Sequence, residues 1–506
     1  MYSNISTCCL EGLIGYKIDC ECDLANGMRS FNIVGLPDAS IKESKERVRS
    51  AIENTGIKFP VKRITINLAP ANLKKEGSQL DLAIAVSILS SMGIIEVPDK
   101  SWAFIGELSL DGRLNAIDGC LCMVLSLKEM GFSRVFVPKG NSKECSMVKG
   151  IEKVSLDSLD SLIKILNGEI DATFIEEEEV KTDDIFYKVD FSDIKGQKLL
   201  KRAMEIAAAG FHNLLMIGPP GSGKTMAAMR LPTILPEMSF DEVMETTKIY
   251  SVAGLLNNSR IVSQRPFRAP HHTCSNVSLI GGGRIPKPGE ISLAHNGILF
   301  LDELPEFSKA TIEVLRQPLE TKEITITRIN ASLTYPANFL FIAGMNPCPC
   351  GYHGDPNHEC SCSLTQITNY LNKVSRPILD RIDIHVEVSP VKLDELTAEE
   401  KAESSADIRK RVQKAREIQK ERFKKIDITT NSQMTSSQIR KYCPLSRDLK
   451  DIMNLAFDKY KFSARSFDKI IKLARTVADL EGSADIKGPH LMEAIRYRTV
   501  DQKYWG

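Results

Sequence analysis

A strand-like apolar run leads directly into a glycine-rich loop, and this junction constrains the fold of the chain more than any other feature. The run is Leu214–Ile217, and a helical pattern follows the loop. The loop comprises Gly218, Pro219, Pro220, Gly221, Ser222, Gly223, Lys224 and Thr225. Glycines let backbone N–H groups wrap phosphate oxygens, Lys224 suits the β and γ phosphates of ATP, and the Thr225 hydroxyl suits Mg²⁺. The junction predicts an α/β domain with a nucleotide site.

Two later apolar runs end in polar residues of the kind that act on a bound nucleotide. Residues 297–301 precede Asp302 and Glu303, and residues 339–345 precede Asn346. In a parallel sheet, ligands gather at the carboxyl ends of the strands. We therefore expect Asp302 to hold Mg²⁺, Glu303 to polarise the attacking water, and Asn346 to orient that water or contact the γ-phosphate. Acids that cap a helix and a turn residue before a proline are the plainer interpretations.

Changes of residue pattern divide the chain of 506 residues, which is too long for a single core. Residues 1–168 alternate β-rich and helical runs, as in an α/β or α+β domain, and residues 169–189 form an acidic stretch that indicates a solvated linker. Residues 190–390 alternate strands with glycine-punctuated loops, which is typical of a parallel sheet with crossover helices. Residues 391–506 carry mainly helical patterns, which indicates a helical lid or C-terminal domain.

The composition favours a folded protein of a reducing compartment. Hydrophobic residues make up 42% of the chain and charged residues 26%. No apolar run approaches the ~18 residues that a membrane span requires, so we expect a cytoplasmic protein without a membrane partner. Thirteen cysteines are too few for a disulfide scaffold of this size, and their odd number also argues against complete pairing. We expect reduced or metal-bound thiols.

Four cysteines stand close enough in sequence to bind one metal ion. They form two C-x-C pairs with nine residues between them: Cys348, Cys350, Cys360 and Cys362. Converging thiolates could bind Zn²⁺ tetrahedrally and stabilise a short insertion, residues 348–362, that lacks a core of its own. The spacing departs from the commoner C-x₂-C pairs, so free reduced thiols and redox chemistry stay open as alternatives.

With these elements in order, the chain resembles the magnesium-chelatase-like AAA+ ATPases of the YifB/ComM family over nearly its whole length. The most specific matches are residues 193–197, 265–272, 288–295 and 346–351. The resemblance implies an AAA+ core of parallel strands around the phosphate loop, with ATP and Mg²⁺ as cofactors. It also implies assembly into a homo-oligomeric ring, which we expect to be a hexamer.

In a ring, one subunit completes the nucleotide site of its neighbour. Residues 379–383 are similar to the segment that carries the arginine finger in chelatase-like motors, which makes Arg381 the candidate and leaves Arg376 as the alternative. Residues 463–465 resemble the second sensor motif, so Arg465 is expected to reach the nucleotide from the helical lid. An arginine supplied by a neighbour neutralises phosphate charge only when the subunits dock. Surface or salt-bridged arginines are the alternative interpretation.

The N-terminal domain resembles the Lon-protease-type fold, but without a complete catalytic pair. Residues 75–78 lie where Lon proteases hold the nucleophilic serine, which makes Ser78 its counterpart. A serine nucleophile needs a neighbouring base. The stretch in which Lon proteases supply a lysine, residues 120–123 here, contains none. We expect a non-proteolytic domain that serves as a platform for a substrate or partner.

Positive charge is concentrated near the C-terminus. Residues 391–506 contain 25 Lys and Arg against 18 Asp and Glu. Seven basic residues fall along one predicted helix: Arg409, Lys410, Arg411, Lys414, Arg416, Lys420 and Arg422. Such a helix could follow a phosphate backbone, although charged helix faces are often only solvated. His271 and His272 are expected in a loop of the ring pore rather than at a metal.

The resemblance implies a function as well as a fold. ComM-like proteins are associated with DNA branch migration during natural transformation. The first hypothesis is therefore an ATP-driven helicase that acts on single-stranded or branched DNA. A chelatase-type or protein-remodelling ATPase without DNA activity is the alternative, and a Lon-like protease is disfavoured by the missing lysine.

Overall fold

The computed structural model describes residues 1–178, 187–256, 261–283, 286–328, 331–356, 358–390 and 402–505. The chain forms two compact units. The first comprises Met1–Thr182, Ser239–Ser263 and Ile329–Tyr335, and the second comprises Asp183–Met238, Gln264–Arg328 and Pro336–Gly506. The first boundary falls in the predicted acidic linker, of which residues 179–186 lie outside the described residues. The residue pattern does not predict that Ser239–Ser263 belongs to the first unit.

Strands and helices alternate along most of the chain. The strands are β1 Tyr2–Glu11, β2 Ile14–Ala25, β3 Ser30–Val34, β4 Arg63–Ala69, β5 Trp102–Phe104, β6 Glu107–Leu108, β7 Leu114–Asn115, β8 Arg134–Pro138, β9 Glu152–Leu156, β10 Leu214–Ile217, β11 Phe267–Arg268, β12 Gly281–Gly282, β13 Lys287–Pro288, β14 Ile298–Leu301, β15 Glu323–Arg328, β16 Ala331–Pro336, β17 Leu340–Met345 and β18 Ile384–Glu387. The α-helices are α1 Ala39–Asn54, α2 Asp81–Met92, α3 Cys120–Glu129, α4 Ser142–Cys145, α5 Leu159–Leu166, α6 Lys198–Gly210, α7 Lys224–Arg230, α8 Phe240–Ala253, α9 Asn276–Ile280, α10 Glu290–Leu293, α11 Lys309–Val314, α12 Arg316–Thr321, α13 Leu364–Leu371, α14 Arg376–Leu379, α15 Ser405–Arg422, α16 Ser436–Tyr442, α17 Arg447–Tyr460, α18 Ala464–Leu480 and α19 Gly488–Trp505. Within the described ranges, none of these helices is both long enough and apolar enough to cross a membrane.

A mixed sheet forms the centre of the first unit. Its strand order is β3-β4-β2-β1-β5-β8-β9, with β1–β2 and β2–β4 antiparallel and the other neighbours parallel. Buried and more exposed side chains alternate along β4, because successive residues of a strand point to opposite faces. Its buried residues share one apolar cluster with α2, which is buried nearly all round. The predicted strands at 31–34 and 63–68 and the predicted helix at 80–92 are confirmed.

A parallel sheet forms the centre of the second unit. Its strand order is β11-β14-β17-β10-β18, and all four neighbouring pairs are parallel. All residues of β10, β14 and β17 are buried, as expected for strands covered on both faces. The strands that lead to the glycine-rich loop, to Asp302 and to Asn346 are therefore close neighbours whose carboxyl ends share one edge. The predicted mixed α/β fold with a parallel sheet is confirmed.

The C-terminal helices pack in the second unit together with this sheet. Asp383, which precedes β18, accepts a hydrogen bond from His212 Nδ1 at 3.2 Å and lies 3.0 Å from Lys469 Nζ of α18. His212 Nε2 lies 2.8 Å from the Thr476 hydroxyl of the same helix. Burial alone would raise the pKa of Asp383, but Lys469 and His212 outweigh it and lower that pKa. This buried charge network joins α18 to the sheet.

Helix α15 carries the seven basic residues, and its arginines and lysines differ in their surroundings. Its arginines bond to the protein itself: Arg409 to the Thr233 carbonyl oxygen, Arg411 to Glu205 and Glu403, Arg416 to the Ala208 carbonyl oxygen, and Arg422 to Asp479. Its lysines, Lys410, Lys414 and Lys420, are exposed. The arginines therefore form contacts within the protein that stabilise the packing of the helix, whereas a role of this helix at a phosphate backbone stays a prediction.

Candidate functional site

The glycine-rich loop links β10 to α7 at the carboxyl edge of the parallel sheet. Gly221 and Gly223 have φ angles of 72° and 89°, which glycine adopts without a steric penalty. A Cβ atom on Gly218 would lie 2.2 Å from the carbonyl oxygen of Val388, just beyond β18. Glycine at this position therefore lets the loop pass the end of the neighbouring strand. The backbone of the loop adopts conformations that its glycines permit, and its contact with phosphates stays a prediction.

Lys224 lies at the mouth of this loop with its ammonium group held by oxygen atoms. Its Nζ donates to the carbonyl oxygens of Gly218 at 2.7 Å and Pro219 at 3.0 Å, and to Asn346 Oδ1 at 3.2 Å. Only 8% of the residue is exposed. Burial lowers the pKa of Lys224 to about 8, although Asp302 and Glu303 act in the opposite direction. The structure thus brings Lys224 and Asn346 together from neighbouring strands.

Thr225 and Asp302 meet across the edge of the sheet. The Thr225 hydroxyl donates to Asp302 Oδ2, and the backbone N–H of Glu303 donates to Asp302 Oδ1 at 3.0 Å. A Cβ atom on Gly344 of β17 would lie 2.7 Å from that same Oδ1, so a glycine there gives the carboxylate its space. Hydroxyl and carboxylate oxygens are ligands that Mg²⁺ prefers. The donor set therefore fits Mg²⁺ beside a bound nucleotide.

Glu303 lies beside a histidine that the sequence pattern does not assign to the nucleotide site. Its Oε2 lies 3.5 Å from Nδ1 of His272, and 56% of the Glu303 side chain is exposed. The His272 ring packs against His271, with ring centroids 4.1 Å apart, and edge-on against Phe307. The feature that could have indicated this proximity is that His272 follows β11 and Glu303 follows β14, two strands that pair in the sheet. The structure places His272 at the acids, while a role for it in a ring pore stays a prediction.

The candidate arginines lie apart from the glycine-rich loop. Arg381 donates to the Pro377 carbonyl oxygen at 2.7 Å and forms an ion pair with Glu320. The hydrogen bond from Arg381 is the main reason that the pKa of Glu320 is lowered, and Arg465 contributes less. Arg376 and Arg465 are exposed. Within the described chain, none of the three arginines donates a hydrogen bond to the loop.

The four cysteines of the predicted metal site converge. Cys348 Sγ lies 3.3 Å from Cys350 Sγ and 3.7 Å from Cys360 Sγ, and the last two sulfurs are 3.6 Å apart. All four sulfurs, including that of Cys362, lie within 4.8 Å of one another. Tetrahedral zinc with Zn–S bonds of about 2.3 Å places its sulfurs about 3.8 Å apart. The donor set and its spacing fit one zinc ion.

Ser78 in the first unit is paired with an acid. Its hydroxyl donates to Glu107 Oε2. The nearby Lys75 is buried, and its Nζ donates to the Pro70 carbonyl oxygen. Residues 120–123 lie in α3 and are buried. No described hydrogen bond joins Ser78 to a lysine, and the non-proteolytic character of this unit stays a prediction.

Comparison with known families covers most of the chain. The family described as "Magnesium chelatase, subunit ChlI" matches residues 190–396, which include the glycine-rich loop, the acids, Asn346 and the four cysteines. "Subunit ChlI of Mg-chelatase" matches residues 20–141, and "Magnesium chelatase, subunit ChlI C-terminal" matches residues 402–498. The matches follow one another along both units.

Full-length relatives agree with these families. The chain is 43% identical to the competence protein ComM of Haemophilus influenzae over 95% of this chain and 94% of ComM. It is 39% identical to the protein YifB of Escherichia coli over 97% of this chain and 96% of YifB. The magnesium-chelatase 38 kDa subunit of Rhodobacter capsulatus is 25% identical over 31% of this chain and 50% of that subunit. The chain belongs to the YifB/ComM family of magnesium-chelatase-like AAA+ ATPases.

Proposed function

We propose that the protein is an ATP-driven ring motor that acts on single-stranded or branched DNA and promotes branch migration in natural transformation or recombination. One observation carries the proposal: Lys224, Thr225, Asp302 and Asn346 meet at the carboxyl edge of a parallel sheet. The similarity to a relative named as a competence protein, over 95% of this chain, supports DNA as the substrate. We place the motor in the cytoplasm.

The proposed roles follow from the chemistry of each side chain. The backbone of the glycine-rich loop and Lys224 hold the phosphates, and Thr225 and Asp302 hold Mg²⁺. Mg²⁺, when bound, neutralises charge that develops on the phosphates. Glu303 takes the proton of the attacking water, and Asn346 orients that water. His272, 3.5 Å from Glu303, orients this carboxylate.

The complete site is proposed to need a second subunit of a hexameric ring. Arg381, or alternatively Arg376, reaches the γ-phosphate of the neighbouring subunit. Arg465 reaches the nucleotide from the C-terminal helices, which act as a lid. To reach a neighbour, Arg381 has to leave its ion pair with Glu320. The Lon-like N-terminal domain serves as a non-proteolytic platform.

We also propose Zn²⁺ as the ion of the four-cysteine cluster. Four thiolates are typical of structural zinc sites, in which the metal stabilises a segment too short to fold alone. The described residues between β17 and α13 include no helix or strand, so the cluster lies in such a segment.

The ATPase rate, measured with and without DNA, tests the proposed function. We expect single-stranded DNA or a three-stranded junction to raise the rate, and ATP to drive the junction to product. DNA binding should weaken steeply with salt and show little base preference, because a moving ring holds phosphates. Two variants control the site. Lys224→Ala should lose most ATP affinity, and Glu303→Gln should bind ATP but hydrolyse it ~100-fold more slowly.

The same assay separates DNA translocation from the chelatase-type or protein-remodelling alternative. If the chelatase-type or protein-remodelling alternative holds, no DNA of any form should raise the ATPase rate, whereas a protein fraction should raise it. That result would exclude the proposed motor on DNA. Normal hydrolysis by Lys224→Ala would contradict the assignment of the nucleotide site itself.

A further inference from the structure

The loop that carries the four cysteines begins at the nucleotide site. Strand β17 ends at Met345, and Asn346 directly after it accepts a hydrogen bond from Lys224 at 3.2 Å. Cys348, two residues further on, is fully buried. The first thiol of the cluster is therefore separated from the residue that contacts Lys224 by Pro347 alone. Only a very short length of chain therefore links the position of the cluster to that of Asn346.

The same loop also contacts the phosphate loop directly. A Cβ atom on Gly351 would lie 2.4 Å from Cδ and 2.7 Å from Cγ of Pro220. Gly351 is buried, and its φ of 88° lies in the left-handed region. The two loops are thus in van der Waals contact at a position where only glycine fits. The cysteine-bearing loop forms one side of the nucleotide site.

Sulfur contacts connect the two ends of this loop. The backbone N–H of Cys350 donates to Cys362 Sγ at 3.4 Å, and the backbone N–H of His353 donates to Cys348 Sγ at 3.3 Å. Hydrogen bonds of this kind orient thiolate ligands and stabilise their charge. An ion bound by all four sulfurs would join residues 348–350 to residues 360–362. The intervening chain would then be closed on itself beside Pro220.

We propose that metal binding at the four cysteines controls the nucleotide site, because the metal-bound loop positions Asn346 and supports Pro220. The inference rests on the proposed ATP site and adds a regulatory element to it. Zinc-loaded protein binds ATP in the arrangement described here. Protein without the metal keeps Lys224, Thr225 and Asp302 but loses the support of the phosphate loop, and it binds ATP more weakly.

The first experiment removes the metal ligands from the full-length chain. Zinc content is measured by elemental analysis, and binding of a fluorescent, non-hydrolysable ATP analogue is measured with Mg²⁺. Wild-type protein should contain one zinc per chain. Cys360→Ser/Cys362→Ser should lose the zinc and bind the analogue about tenfold more weakly, which corresponds to ~1.4 kcal/mol. Cys443→Ala removes a buried thiol of the same unit outside the cluster, and it should retain both zinc and affinity.

The second experiment keeps all four thiols and changes only the contact with Pro220. Gly351→Ala should retain one zinc per chain and still bind the analogue more weakly. Gly354→Ala is the matched control, since Gly354 has a similar φ of 79° in the same loop but no atom within 4 Å of its added Cβ. It should bind the analogue like the wild type. Comparison of the two variants separates the effect of the contact with Pro220 from the conformational cost of placing alanine at a positive φ angle.

The outcomes are distinct. Wild-type affinity in both Gly351→Ala and Cys360→Ser/Cys362→Ser would overturn the coupling. If wild-type protein contains no zinc, even after incubation with Zn²⁺, the proposed metal site is excluded. If wild-type protein binds no ATP analogue and Lys224→Ala is indistinguishable from it, the proposed function fails, and the coupling with it. Tetrahedral Co²⁺ absorption in the wild type, absent in the double variant, would confirm the four-thiol ligand set independently of ATP.

Discussion

Lys224 combines a positive charge with a nearly closed environment. Its ammonium group is held by two backbone carbonyl oxygens and Asn346, and burial lowers its pKa to about 8. A lowered lysine pKa means that the charged form is dominant below that pH and is lost above it. The charge of the residue that we propose to hold the phosphates is therefore sensitive to pH just above neutrality.

ATP affinity should fall as the pH rises through about 8. Below this pH Lys224 carries the charge that phosphate oxygens require; above it, each further pH unit should cost up to tenfold in affinity. The measurement is the dissociation constant of a fluorescent ATP analogue at pH 7, 8 and 9 with constant Mg²⁺. Lys224→Arg is the control, because a guanidinium group stays charged over this range. An affinity that stays constant from pH 7 to 9 in the wild type would contradict the prediction.

Helix α15 shows how one element divides its charges between structure and solvent. Arg422 donates to the fully buried carboxylate of Asp479 and to Asn431, whereas Lys414 and Lys420 are exposed. The arginine side chains hold the helix on the second unit. The exposed lysines of the same helix are accessible to a phosphate backbone, and the two residue types are expected to differ in function.

Charge reversal of the lysines should affect DNA binding, and loss of the arginine should affect stability. The triple variant Lys410→Glu/Lys414→Glu/Lys420→Glu should weaken DNA binding. The slope of the logarithm of the binding constant against the logarithm of the salt concentration should fall in magnitude by about two. Its unfolding free energy should change by only ~0.5 kcal/mol per substitution. Arg422→Ala should lower the unfolding free energy by about 2 kcal/mol, because Asp479 loses charged hydrogen bonds. Chemical denaturation measures the unfolding free energies, and a salt titration measures the change in DNA binding. Equal DNA affinity in the lysine variant and the wild type would remove α15 from the DNA surface.

At the scale of the whole molecule, one chain contains the phosphate loop and the acids but holds Arg381 in contacts of its own. Arg381 pairs with Glu320 and the Pro377 carbonyl oxygen, while Arg376 is exposed at the start of α14. In the proposed ring, a neighbouring subunit would supply the missing contact by presenting its arginine to the phosphates. The proposed ATPase is thus a property of the assembly.

Mixed rings test this arrangement. Arg381→Ala and Lys224→Ala should each be nearly inactive alone, yet their mixture should recover ATPase activity above both. Some interfaces then pair an intact phosphate loop with an intact finger. The same mixture with Arg376→Ala in place of Arg381→Ala identifies which arginine acts. An inactive Arg381 mixture in which rings still form would exclude Arg381 as a finger supplied by the neighbour.

Local pattern was sufficient for the elements that surround the nucleotide site. The strands before the glycine-rich loop, Asp302 and Asn346 are all present where the apolar runs indicate, because a buried parallel strand is a short continuous apolar run. The convergence of the four cysteines, which their close spacing suggested, is also confirmed, because all four sulfurs lie within 4.8 Å of one another. These features depend on residues that are near one another in the chain.

Other features were decided by contacts between residues far apart in the chain. The 3.5 Å approach of His272 to Glu303 depends on the pairing of β11 with β14. The sequence does not distinguish the arginines of α15 from its lysines. The difference arises because Glu205 and Asp479, which are distant in the chain, form ion pairs with Arg411 and Arg422. Gly351 and Pro220 are 131 positions apart, and only the sheet order places their loops in contact. The sequence by itself determined the strands, the phosphate loop and the family. The tertiary structure decided which charges are free and which loops support the site, because burial and pairing energies arise only when distant segments pack.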